Sequence, residues 1–142
     1  WDTELTEYRL NQLNWLADKL KNEDKDHSAI AIHIYFADTD GNKSAFAERL
    51  ASLISAYNNR KSFVIDDTTH YFYSCTGRVE FILTGHTHKD MTDRIDNKTP
   101  VICTLNTRNG NAPSFDLIYA DYDNRKINTV RVGTGKNRVF NL

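Results

Sequence analysis

Cysteine is scarce in this chain. Two thiols in 142 residues, Cys75 and Cys103, are too few for a disulfide framework, so a reduced intracellular pair is expected. No apolar run approaches the roughly 20 residues that a membrane helix needs, which excludes a helical span. Neither sign of charge dominates: 18 Lys and Arg against 19 Asp and Glu leave a formal net charge of -1. The chain as a whole therefore carries no strong pull toward nucleic acid or a membrane surface. The first residues, WDTELTEYRL, lack the basic head and apolar core of a signal peptide. They also begin on Trp1 rather than methionine, which suggests a processed chain or an excised piece. The sequence shows no internal repeat, low-complexity tract or linker.

What remains is 39% hydrophobic and 26% charged, enough apolar material for one compact domain with a core. In LTEYRLNQLNWLADKLKN, Leu5, Tyr8, Leu13, Leu16 and Leu20 fall near helical spacing, with Thr3 or Thr6 as the cap. AIAIHIYF is a short, nearly unbroken apolar run, β-branched at Ile30, Ile32 and Ile34, and reads as a strand buried on both faces. A turn-rich FADTDGNKS leads to a second amphipathic helix, AFAERLASLISAY, ending near Asn58 and Asn59. Strands follow at Phe63 to Ile65, Tyr71 to Tyr73 and Val79 to Thr84. PVICTL, SFDLIYADY and KINTVRV then read as a three-strand meander, with DNRK as a hairpin turn. The order is helix, strand, helix, then mostly strands: an α+β chain, a mixed sheet with flanking helices and a C-terminal β-meander.

The chemistry lies in five histidines. His27 sits in a charged loop and reads as solvated, and His70 reads as a structural residue before a strand. His33 interrupts an apolar strand, where an imidazole needs a partner; a backbone carbonyl would serve as well as a metal. The sharpest feature is FILTGHTHKD. In extended backbone, His86 and His88 would present both rings to one side at the mouth of a buried strand. Gly85 before them marks a place where the chain turns sharply or something approaches closely. His-x-His alone is a weak metal signal; the strand and glycine strengthen it.

FILTGHTHKD resembles the last metal-binding motif, Gly-His-x-His, of the calcineurin-like metallophosphoesterases. IAIHIYFADTDGNKSAFAERL is similar to the segment of that superfamily in which a histidine, here His33, closes a strand before a loop and helix. The tail FDLIYADYDNRKINTVRVGTGKNRVFNL resembles the closing hairpin of such enzymes from Gram-positive bacteria and their phages, matching at Arg131, Gly133, Gly135 and Arg138. The resemblance covers nearly the whole chain. It implies part of a four-layer α/β/β/α sandwich that holds two divalent transition metals (Mn, Fe or Zn). His33 and His86 would ligate one ion and His88 the other, and the reaction would be metal-assisted hydrolysis of a phosphoester. Asp90 is a candidate acceptor for a ligating ring, or a solvated loop carboxylate.

The departure from the family is as informative as the match. Its first three motifs, Asp-x-His, Gly-Asp and Gly-Asn-His-Asp or Glu, are absent. Two adjacent dications without an anionic ligand between them would repel strongly. Such a chain is therefore expected to be the C-terminal portion of a metallophosphoesterase fold, inactive without its N-terminal half. A half-sandwich would expose a sheet face and an unpaired edge, so it would need that half, or a homo-oligomer mate, as partner. A cytoplasmic or phage-associated location fits this reading. Two further readings are a non-catalytic phage or bacterial structural or binding module that keeps the scaffold, and a mononuclear metal protein using His33, His86 and His88. Arg78, Lys89, Arg94 and Arg108 are candidate phosphate contacts or solvated charges.

Overall fold

The computed structural model describes residues 5–105 and 114–142. The first helix, α1 (Glu7–Lys21), starts at Thr6, whose hydroxyl accepts from the Arg9 amide. It buries Leu13, Ala17 and Leu20 and leaves Trp15 62% exposed. The second helix, α2 (Ala45–Asn58), starts at Ser44, which accepts from the Ala47 amide, and ends at Asn59. Its buried stripe includes Leu50, Leu53, Ile54 and Tyr57, at the spacing the sequence predicts.

Nine strands accompany the helices among the described residues. β1 (His27–Ala31), β4 (Arg78–Thr84), β6 (Thr99–Cys103) and β5 (Met91–Ile95) form a mixed sheet in the order β1-β4-β6-β5. β1, β4 and β6 run parallel and β5 antiparallel. β4 and β6 lie inside this sheet, and their apolar runs are buried almost throughout. β2 (Ser62–Ile65) and β3 (Thr68–Tyr71) make a separate hairpin. β7 (Phe115–Asp121), β8 (Lys126–Val132) and β9 (Arg138–Asn141) form an antiparallel meander in that order.

Three strand expectations change, the strand read at Tyr71 to Tyr73 lying instead at Thr68–Tyr71, and one strand is unexpected. The apolar run AIAIHIYF does not make a strand buried on both faces. β1 covers only its first residues, begins at His27 and lies at the sheet edge with alternating exposure, and residues 32–34 are irregular. PVICTL, as β6, joins the parallel sheet rather than the meander, whose third strand is β9. β5 was carried by MTDRI, too polar to read as a strand; it is paired with β6 through its backbone.

The layers follow from a bulge. β1 pairs Ser28 with Val79 but Ala29 with Phe81, so Glu80 is an extra residue on β4. That shift lets Val79 pack with the helices while Phe81 turns to the other face. On the first face the sheet joins α1 and α2 in the main core, with Leu13, Leu50, Ile54, Ile82 and Val101. On the second face Phe81 and Ile102 meet Ile127 and Phe140 of the meander. The result is helices, mixed sheet, antiparallel sheet. The outer face of the meander is apolar and open: Phe115 pairs with Val132 and Leu117 with Val130, and all four are exposed beside Tyr119 and Val139.

Candidate metal-ligand site

Two parallel strands bring the site together. The Ile32 amide continues the β1–β4 ladder by donating to the Leu83 carbonyl. The His33 carbonyl then accepts from the Gly85 amide and from the Thr84 hydroxyl, each at 3.1 Å. The chain thus leaves β1 and β4 side by side at the C-terminal end of the sheet, the usual site position in such layered folds. There the rings of His33 and His86 meet edge to face, with centroids 5.4 Å apart and planes at 77°. Residues 53 positions apart in sequence are neighbours because the strand ends are locked together.

The backbone around the histidines is not extended. His86 has φ 73° and His88 φ 57°, both left-handed, so period-two alternation does not place their rings on one side. Such conformations cost energy in a non-glycine residue and persist only where the surroundings impose them. The glycine is not what the turn requires: Gly85 has no positive φ, and a methyl on it would make ordinary contacts with His33, nearest at 3.8 Å. Left-handed strain falls on the histidines instead.

Several bonds impose that loop. The Thr87 amide donates to the Gly85 carbonyl, and the Thr87 hydroxyl reaches the sulfurs of Met91 and Cys103. The buried Cys103 thiol donates to the Gly85 carbonyl at 3.1 Å, and burial pushes its pKa up, keeping it a thiol. Burial, followed by the neighbouring His33 and His88, pushes the His86 pKa down, which favours the neutral imidazole that a metal needs.

The loop after His33 is anchored separately. Tyr35 is fully buried; its hydroxyl donates to Asp93 at 3.0 Å, and Lys43 pairs with the same carboxylate at 2.8 Å. Burial and the adjacent Asp93 charge raise the Tyr35 pKa, so the phenol stays protonated.

The ligand set remains incomplete. Among the described residues no group of three or more His, Cys, Asp or Glu is placed to share an ion. The structure pairs His33 with His86 and leaves His88 outside that ring contact. Asp90 serves neither expected role: it accepts from the Leu105 amide and from Arg131, at 3.0 and 2.5 Å. His27 is exposed as expected, but it is a strand residue rather than a loop one. It opens β1, stacks on Tyr122 and meets buried Glu80 at 2.8 Å. His70 is structural as expected, buried in β3 and bonded to Asn14 at 2.8 Å.

The basic candidates do not converge. Arg94 donates to the carbonyls of Lys98 and Asn141, Arg78 opens β4 at the far end of the sheet, and Lys89 is exposed beside the histidine loop. Arg108 and Thr3 lie outside the described residues. The sequence reading missed Asp116, which holds both Arg131 and Arg138. Its signal was a carboxylate at the one phase of β7 that also carries Ile118 and Ala120, packed toward the second core. Beside this geometry, no family model and no curated protein matches the chain.

Proposed function

We propose that this chain is the C-terminal part of a metal-dependent phosphoesterase, contributing imidazole ligands to a site that other residues complete. The observation that carries the reading is the His33–His86 contact at the C-terminal end of parallel strands. The residues fit a metal in part. Two imidazoles, one with its neutral form favoured, suit a first-row divalent ion such as Mn, Fe or Zn. Among the described residues no carboxylate joins them in a group of three or more that could hold an ion, as a second ion would require. An ion held there would supply Lewis-acid polarisation of a phosphoryl oxygen. The chain's own contribution is orientation: strand ends fix His33, and a strained loop fixes His86 and His88.

The layer order supports the same reading. In this reading helices, mixed sheet and antiparallel sheet would be three layers of a four-layer sandwich, and the open apolar face of the meander would be the surface its fourth layer covers. The edge of β1, unpaired on its outer side among the described residues, is where further strands would join. A groove of about 420 Å³ among α1, β1 and the start of α2, lined by Trp15, Ile30, Ile32 and Phe46, includes His33 in its wall. The partner is accordingly the N-terminal half of the enzyme or a second copy of the chain.

Substoichiometric Mn added to the isolated chain tests the reading by NMR. Selective broadening of the His33 and His86 ring protons is expected, with no appreciable hydrolysis of a generic phosphodiester. Rings that broaden no more than His27 or His70 would defeat the metal assignment. Robust turnover by the chain alone would defeat the claim that outside ligands are required.

A further inference from the structure

The tail motif of Arg131, Gly133, Gly135 and Arg138 has no part in the chemistry above, yet its side chains end behind the histidine loop. Arg131 is almost wholly buried and bridges two carboxylates: its Nε donates to Asp116 at 2.6 Å and its Nη2 to Asp90 at 2.5 Å. Asp116 is 1% exposed and takes Arg138 Nη2 on its second oxygen at 2.6 Å. Arg138 Nη1 donates to the Cys103 carbonyl at 3.0 Å. The network therefore holds the end of the loop at Asp90 and the residue whose thiol binds the Gly85 carbonyl.

Gly135 makes this possible. Its φ is +115°, a left-handed conformation, and a Cβ there would collide with Arg131 Nη1 and lie 3.4 Å from Asp90. The glycine lets the β8–β9 turn fold over the guanidinium without displacing it, and the Arg131 Nη1 donates to the Thr134 carbonyl inside that turn.

We propose that Arg131 and Arg138 are positioning residues. Acting through Asp90 and the Cys103 carbonyl, they hold the loop of residues 85–90, in which His86 and His88 are left-handed, so that His86 is set against His33. The physical case is that two histidines at positive φ need an external restraint, and this charge-assisted network meets their loop directly at Asp90 and, through Cys103, at Gly85. Where it bears on a metal, the inference rests on the phosphoesterase reading; where it bears on the loop, it does not.

The test uses Asp90→Asn, Arg131→Lys and Gly135→Ala in the full chain, with amide exchange and Co(II) titration as readouts. Asp90 lies partly exposed at the loop end, so Asp90→Asn is the variant expected to fold whatever becomes of the other two. In each folded variant the Gly85 and Thr87 amides should exchange about tenfold faster or more, while amides of β4 and β6 keep their protection. Co(II) affinity should fall about 10- to 100-fold. A merely structural role would instead lower protection across the sheet together with the unfolding midpoint. Unchanged exchange at Gly85 and Thr87 in Asp90→Asn overturns the inference, as does uniform loss of protection. Failure of the parent chain to bind Co(II) at all overturns the phosphoesterase reading, and the exchange result still decides the clamp.

Discussion

His27 Nδ1 meets the carboxylate of Glu80 at 2.8 Å, at the opposite end of β1 from the candidate site. Glu80 is 2% exposed because the bulge on β4 turns it toward the meander, where Arg125 approaches at 3.5 Å. His27 also lies flat on Tyr122, with centroids 4.1 Å apart and planes 9° from parallel. The pair therefore ties the edge strand to the turn after β7.

His27→Phe keeps the stacking surface and removes the bond. It should cost about 1–3 kcal/mol, the penalty for leaving a buried polar group short of a partner. His27→Ala removes the stack as well and should cost about 0.5–1.5 kcal/mol more. Urea denaturation of the two variants separates the contributions. Equal stability of His27→Phe and the parent would mean that Arg125 alone satisfies Glu80.

Two glycines give opposite expectations. A methyl on Gly77 would collide with the Lys25 carbonyl and lie 2.9 Å from the Tyr57 hydroxyl, at a position where backbone meets backbone. Gly77→Ala should therefore destabilise by about 1–3 kcal/mol. Gly85→Ala finds ordinary contacts and no left-handed backbone, and should stay within about 0.5 kcal/mol of the parent. Thermal denaturation of both variants checks the contrast. A larger loss at Gly85 than at Gly77 would restore the glycine of the histidine motif as a steric requirement.

That contrast shows how far residues alone could be read. Both helices were legible because their stripes are local, Leu13 and Leu20 in one and Leu50 and Leu53 in the other, with Thr6 as the cap of the first. β4 was legible from its apolar run, and the DNRK turn from its polar residues, with Arg125 at φ 54°. β5 was not, because ladder bonds to β6 override its polar side chains. The bulge at Glu80 was invisible for the same reason: it exists only relative to β1. His33 and His86 were readable as candidates one at a time. Their contact comes from pairings 50 or more residues apart in the chain, and the left-handed backbone beside it from bonds to Cys103 and Arg131 that local pattern does not show. Alternation also misleads in β7, where Phe115, Leu117 and Tyr119 face outward and Asp116 inward.

The outward apolar set should behave as a surface that can be made polar without loss of fold. Leu117→Lys and Val139→Lys remove exposed side chains, 57% and 61% accessible, that contribute little to either core. Their unfolding free energies should stay within about 0.5 kcal/mol of the parent. Binding of a hydrophobic fluorescent probe should fall in each and further in the double variant. A cooperative loss of structure would show that this face is already packed in the isolated chain.

The buried network predicts the acid limb of stability. Burial alone would raise the Asp116 pKa, but hydrogen bonds from Arg131, Arg138 and Thr104 outweigh it and hold the carboxyl below its ordinary range. Asp90 is lowered as well: burial would raise it, but Arg131, the Leu105 amide and Arg138 together outweigh burial. A carboxyl whose folded pKa lies below the unfolded value, about 3.9, contributes stability that is complete well above that value. The contribution is lost as pH falls through the folded pKa. The contribution of these two carboxyls should thus be flat from neutrality to about pH 5 and decline below about pH 4. Asp116→Asn leaves Arg131 and Arg138 without their shared carboxylate and should cost about 3–5 kcal/mol at neutral pH. Because the parent loses the same charge on protonation, the gap between the two proteins should narrow at low pH. Urea midpoints at pH 7 and pH 3.5 measure it. A gap that stays constant across that range would mean that Asp116 is not the charge that holds the two arginines.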